Sequence, residues 1–172
     1  IVNYFRKKNY NIDWNIITNN RNAGIIERSR KLKVPCMILE KEEFKNEKAL
    51  FEIQKIDPSI IILAGFLLKI SVRILERFSN KIINIHPSLL PAYGGKGMYG
   101  MNVHEKVIEN CEKESGITIH YVNKNYDEGE IIFQRKLRIN YPCNSKKLAE
   151  KIHQMEMKFF PEVIENLIKI RK

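Results

Sequence analysis

With 172 residues, 44% of them apolar, the chain can bury one full hydrophobic core and has no room for a second module of ordinary size. Its formal charge of +10 comes from lysines and arginines scattered along the chain, not gathered in one block, which speaks against a nucleic-acid partner and for a field that collects small anions. The three cysteines, Cys36, Cys111 and Cys143, have neither zinc nor C-x-x-C spacing and fit a reducing, cytoplasmic setting, and the longest apolar stretch, Ile60 to Ile70 with Lys69 inside it, falls far short of the roughly 20 residues that cross a bilayer.

Ile1 to Lys8 reads as the back half of a helix. Asp13 to Thr18 reads as a strand, Asn22 to Leu32 as a helix capped by Asn20 or Asn22, and Pro35 to Leu39 as the next strand. Lys41 to Gln54 has helical spacing at Phe44, Leu50, Phe51 and Ile53, and Asp57-Pro58 ends it before an apolar strand, Ser59 to Ala64. Lys81 to Ile85 is a further buried strand that stops where Pro87 removes a backbone donor. A glycine-rich loop, Gly94 to Gly100, leads into a short helix from Asn102 to Asn110. Two strands follow, Gly116 to Val122 and Glu130 to Ile139, joined by the polar turn Asn123 to Gly129. A last amphipathic helix starts near Ser145 with Leu148, Ile152, Met155, Phe159, Val163 and Leu167 on one side, and Pro161 marks a kink. The alternation predicts an α/β, Rossmann-like fold with a mostly parallel twisted sheet flanked by helices.

The chemistry gathers at Asn84-Ile85-His86-Pro87. Residues two apart on an extended segment leave on one face, so the Asn84 amide and the His86 imidazole can both donate to one developing charge. They stand at a strand's exit, where open α/β sheets bind their ligands. Beyond the β-like segment Gly116 to Val122, Asp127 adds a carboxylate. An amide, an imidazole and a carboxylate suit acyl chemistry on a preorganised oxyanion. The structural alternatives are an ordinary Asn-x-His strand end and a turn aspartate, for which Asn-Tyr-Asp-Glu-Gly is a good sequence by itself. The four histidines have no ligand spacing with one another or with cysteine, so no metal site is expected.

Three runs then resemble the folate-dependent formyltransferases: Asn84-x-His86-Pro87-Ser88-Leu89-Leu90-Pro91, Gly116-Ile117-Thr118-Ile119-His120-Tyr121-Val122, and Asp127-x-Gly129-x-Ile131-Ile132-x-Gln134. The likeness extends from about Trp14 to Leu167, and within the family it is strongest to the branch that formylates glycinamide ribonucleotide in purine biosynthesis. It implies that the cosubstrate 10-formyltetrahydrofolate gives its formyl group to the ribonucleotide's primary amine by direct attack. Asn84 and His86 would stabilise the oxyanion, each worth about 3 kcal/mol, while Asp127 moves the proton. The Asp127 carboxylate near His86 would favour the imidazolium, the stronger donor to the oxyanion. Leu67, Leu68, Lys69 and Ile70 would meet the folate largely through backbone atoms, with Leu68 standing where many members carry arginine. Val122, Asn123, Lys124, Asn125, Tyr126 and Asp127, together with Asn84, would close the other side. Gly65 and Pro87 would admit the acceptor, with Glu156 on its ribose hydroxyls and His153 near its phosphate. The bland alternative for those last two is a solvated i,i+3 pair. Thr118 and His120 share a strand face and would support the aspartate loop, and His104 reads as a supporting or surface residue.

The family opens with a strand and a Gly-Ser-Asn-type loop that cradles the ribonucleotide phosphate, and nothing here matches either. The expectation is therefore one formyltransferase catalytic domain over 1–172, truncated at its N-terminus, with the strands beside the lost one left unpaired. The loop Gly94 to Gly100 lacks G-x-x-x-x-G-K-[ST] spacing and reads as a mobile flap with Lys96 near substrate. Expected partners are the two small molecules alone, without nucleic acid or membrane, for a monomer or homodimer. Competing readings are a methionyl-tRNA formyltransferase, which needs a further C-terminal domain, a formyltetrahydrofolate deformylase using water as acceptor, and a non-catalytic basic binding protein indifferent to Asn84, His86 and Asp127.

Overall fold

The computed structural model describes residues 1–170. Among them the elements run α1 (Val2–Lys7), β1 (Ile16–Thr18), α2 (Gly24–Leu32), β2 (Cys36–Ile38), α3 (Lys41–Lys45), α4 (Lys48–Ile56), β3 (Ile61–Leu63), α5 (Val72–Arg77), β4 (Ile82–His86), α6 (Met101–Glu109), β5 (Glu114–Tyr121), β6 (Ile131–Arg138) and α7 (Ser145–Ile170). β1 pairs with β2 in parallel, and β3 with β4, Leu63 standing opposite Asn84. β5 and β6 add antiparallel to give the order β3-β4-β5-β6. Four of the six strands thus lie in parallel pairs, with helices between them, as the alternation predicts. Among the described residues β1 and β3 each have one strand neighbour, so the strands form two sheets.

Local chemistry explains where the elements differ from the sequence reading. The single helix expected over Lys41 to Gln54 is two, because Asn46 turns extended (φ −93°, ψ −176°) and its side chain accepts from the Lys48 N–H at 2.9 Å, which restarts the helix. α2 begins at Gly24 with Ala23 as its cap, since Asn20 spends its side-chain oxygen on the Asn22 N–H at 2.8 Å. α5, short and easily overlooked, is opened by Ser71, whose hydroxyl accepts from the Ile74 N–H at 3.4 Å. α7 runs through Pro161 as one helix.

Both faces of β4 are covered, which is what positions the site. Ile82 packs with Phe44, Ile53, Ile74 and Phe78 on one side, while Ile83 packs with Phe5, Ile119, Phe160 and Ile164 on the other. A third cluster of Val107, Ile117, Ile139, Leu148 and Ile152 seats α6 and α7 against β5. α7 also holds α1 through Glu165, only 6% exposed. Its carboxylate accepts from Tyr4 and Tyr10 hydroxyls at 2.6 and 2.8 Å and pairs with Lys8 and Lys169 at 2.6 and 2.9 Å. Lys8, then Tyr4, Lys169 and Tyr10, hold that carboxyl well below the usual carboxylate range. Glu165→Gln is therefore expected to lower the melting temperature by several degrees at neutral pH. A carboxyl with a depressed folded pKa stabilises above its unfolded value and loses that contribution as pH falls through the folded one. In paired thermal melts the gap between wild type and variant should hold down to pH 4.5, the ordinary glutamate value, and narrow below it.

Candidate active site

The β4–β5 register sets Asn84 opposite His120 and His86 opposite Thr118. Alternation along the strand puts Asn84 and His86 on one face with Ile82, as their spacing predicts. Asn84 Nδ2 lies 3.2 Å from His120 Nε2. His120 Nδ1 is 2.8 Å from the Tyr121 carbonyl, which only accepts, so the ring carries its proton on Nδ1 and takes an Asn84 N–H at Nε2. The amide keeps a second N–H for a ligand oxygen.

His86 is 3% exposed. Its Nε2 donates to the Tyr93 carbonyl at 2.7 Å, and its Nδ1 faces Asp127 Oδ2 at 3.6 Å. Burial pushes its pKa below the ordinary 6.5, outweighing the nearby Asp127 carboxylate and Tyr93 carbonyl that pull it up. The imidazolium expected beside Asp127 is thus not the resting form at neutral pH. Desolvation, invisible in a sequence pattern, wins over the ion pair.

Asp127 sits in the turn between β5 and β6 with φ of 56°, a left-handed conformation that aspartate tolerates better than most residues. Its Oδ2 accepts from the Gly95 N–H at 2.9 Å, and its Oδ1 lies 3.6 Å from His120 Nε2. Burial, the largest single influence, pushes the carboxyl up, yet the contact with His120, the Gly95 N–H and the proximity of both imidazoles together hold it below its usual range. One ionised carboxylate therefore faces two imidazoles at 3.6 Å, within reach of proton transfer through a bridging water or a slight closure.

Thr118 is fully buried and works on the adjoining turn. Its hydroxyl donates to the Ser88 carbonyl at 2.7 Å and accepts from the Leu90 N–H and Gln134 Nε2, each at 3.0 Å. Gln134 also donates to the Leu90 carbonyl at 2.8 Å. Pro87 follows His86 directly and ends β4. Tyr93 and Gly95 are the contributors that sequence reasoning does not find, because both act through backbone atoms. Their only signal is the glycine-rich composition of the loop. That loop is tied to Asp127 by Gly95 and to α6 by Asn102 Nδ2, which donates to the Gly97 carbonyl at 3.1 Å, while Lys96 is exposed.

The two segments assigned to folate come together where Lys69 Nζ lies 5.8 Å from the Tyr126 ring centroid. Ile70 is buried, and Leu68 and Val122 pack on the same core cluster. Leu67, Lys69, Asn123, Lys124, Asn125 and Tyr126 are exposed. Asn123 accepts from the Asn125 N–H at 2.9 Å and Asn125 donates to Glu128 at 2.6 Å, so both brace the turn. Gly65 has φ of 68° with open space where a side chain would be. On α7, His153 Nδ1 lies 3.3 Å from Glu156 Oε2, and burial raises the Glu156 carboxyl above its usual range against the pull of His153. Among the described residues no hydrogen bond or ion pair joins either of them to Asn84, His86 or Asp127. His104, read as a supporting or surface residue, is buried at 5% exposure, because α6 turns it into the protein. Among the described residues no group of three or more His, Cys, Asp or Glu side chains is arranged to hold a metal, and no helix is long and apolar enough to cross a membrane.

The inner strand of this α/β sheet thus delivers an amide and an imidazole to a carboxylate on the next hairpin, an arrangement suited to acyl chemistry. The profile of the formyl transferase family fits residues 1–164, and the chain belongs to that family. Its relatives include phosphoribosylglycinamide formyltransferases. The chloroplastic one of Arabidopsis thaliana is 35% identical over 155 residues, 87% of this chain and 53% of that protein. That of Bacillus subtilis is 34% identical over 151 residues, 85% and 75% of the two chains. The chain spans about half the length of the plant relatives it matches. The solved structure of glycinamide ribonucleotide transformylase 1 from Geobacillus kaustophilus superposes with a TM-score of 0.87 at 29% identity, covering 97% of this chain and 89% of the other.

Proposed function

We propose that the chain moves the formyl group of 10-formyltetrahydrofolate onto the primary amine of glycinamide ribonucleotide. The observation that carries this reading is the convergence of the Asn84 amide, the His86 and His120 imidazoles and the Asp127 carboxylate at the end of β4. The acceptor is inferred from the names of the relatives. The folate supplies an activated formyl carbon, and the amine attacks it without a protein nucleophile. Leu67 to Ile70 and Val122 to Tyr126 hold the folate, with Lys69 and Tyr126 joining the two segments. Gly65 and Pro87 admit the ribonucleotide, and His153 and Glu156 bind its ribose phosphate. The second Asn84 N–H donates to the oxygen that gains charge, an interaction worth about 3 kcal/mol. Asp127 accepts the proton released by the amine, and His86 shares it at Nδ1, offering an N–H to the same oxygen as it does so; the proton then passes to the folate nitrogen as its bond to the formyl carbon breaks and tetrahydrofolate leaves.

Because His86 and Asp127 both titrate below their ordinary values, catalysis should persist on the acid side past the point where a free imidazole would charge. The acid limb of kcat/KM is expected below pH 6.5, the ordinary histidine value. A profile taken from about pH 5 to 9 checks this, and a limb at or above the ordinary value would contradict it.

The function itself is tested by following tetrahydrofolate release spectroscopically with and without glycinamide ribonucleotide. Release that requires the ribonucleotide supports the transferase. Release with water alone makes the chain a hydrolase, and a chain that neither binds nor turns over the folate ends this reading.

A further inference from the structure

Tyr93 has φ of 57°, a left-handed conformation that a residue with a bulky ring rarely adopts. That conformation aims its carbonyl at His86 Nε2, 2.7 Å away. The ring packs against the cluster that contains Val107, Ile117 and Leu148, and its hydroxyl reaches the residues that follow α6. There it donates to Glu112 Oε1 at 2.6 Å and accepts from Asn110 Nδ2 at 2.8 Å. Burial, and then the Glu112 carboxylate, keep the phenol protonated as the donor. The next two residues address Asp127. Gly95 donates its N–H to the carboxylate, and Gly94 packs so closely that an added Cβ would stand 3.2 Å from Asp127 Cβ.

We infer that Tyr93 is a positioning residue: anchored through its hydroxyl on Glu112 and Asn110, it holds its carbonyl on His86 Nε2 and so assigns proton exchange to His86 Nδ1, the nitrogen facing Asp127. This role rests on the proposed use of His86 and Asp127 in formyl transfer. A neutral imidazole has one N–H to place. With a carbonyl fixed at Nε2 the proton stays there, and Nδ1 is left as the base beside the carboxylate. Without that acceptor the proton divides between the two nitrogens, and a fraction of the chains present the wrong atom to Asp127. The anchor is needed because the backbone is strained. A tyrosine released from Glu112 relaxes out of the left-handed region and takes its carbonyl with it.

Two substitutions cut the strut at different atoms. Tyr93→Phe keeps the ring in the core and removes the hydroxyl, whereas Glu112→Ala leaves the ring untouched and removes its acceptor. Glu112→Gln restores an acceptor without charge. The readouts are the ring ¹⁵N shifts of His86 and the steady-state rate of formyl transfer. The wild type should show the Nε2–H tautomer alone at a pH where His86 is neutral. Tyr93→Phe and Glu112→Ala should both populate the Nδ1–H form and lose about tenfold in kcat, with KM changed less than about twofold. Glu112→Gln should recover the wild-type tautomer and most of the rate. Folded variants that keep the wild-type tautomer overturn the inference, and if Tyr93→Phe does not fold, Glu112→Ala decides alone. The tautomer is read without substrate, so a wild type that transfers no formyl group would defeat the proposed function and leave the positioning result standing.

Discussion

Asp127→Asn is expected to reduce formyl transfer by about 10³-fold while the chain remains folded. Asparagine keeps the shape of the side chain, and its oxygen can still accept the Gly95 N–H that fixes the turn. What it cannot do is take a proton. Removing the charge also removes the Asp127 carboxylate's upward pull on His86, so burial would drive that imidazole further below its ordinary value and weaken it as a donor to the oxyanion. Both losses act on the transition state, so the fall should appear in kcat with little change in KM. Single-turnover rates beside thermal melts of both proteins measure it. A variant within tenfold of wild type would return Asp127 to the role of an ordinary turn aspartate.

Gly129→Ala is expected to destabilise the chain by about 3 kcal/mol or more, at the upper end of overpacking costs. A Cβ at this position would overlap the Tyr121 carbonyl oxygen, and the next nearest atom is the carbonyl carbon of the same residue. Neither is a flexible side-chain tip that can swing aside. The backbone must move, at the point where Tyr121 N–H donates to the Glu130 carbonyl at 2.8 Å and closes the β5–β6 hairpin. Asp127 stands two residues earlier in the same turn, so the chains that do fold should carry a misplaced carboxylate and lose about 10²-fold in rate. Urea unfolding together with kcat on the folded fraction separates the two effects. Retention of wild-type stability would mean that the hairpin can open at Gly129 without cost.

How far a residue's contribution can be read depends on whether side chain or backbone carries it. Asn84 and His86 are legible because strand periodicity alone puts them on one face, and Asp127 because a carboxylate in a polar turn after a strand is conspicuous. The tie between Asn84 and His120 is half legible. Each lies on an expected strand, but only the β4–β5 register makes them cross-strand partners. The helix break at Asn46 and the start of α5 at Ser71 hang on single side-chain hydrogen bonds that a hydrophobic pattern does not register.

By itself the sequence determined the alternating α/β order, the buried strand that ends in Asn84 and His86, and the types of group available for acyl chemistry. These follow from local periodicity and from the chemistry of individual side chains, which need no knowledge of distant neighbours. Only the tertiary structure decided the protonation state and wiring of the site. His86 is neutral at rest because packing removes water from it, its tautomer is set by a carbonyl seven residues on, and Asp127 is oriented by the Gly95 N–H. Desolvation and backbone hydrogen bonds depend on which segments meet in space, and that is written in no single stretch of the chain.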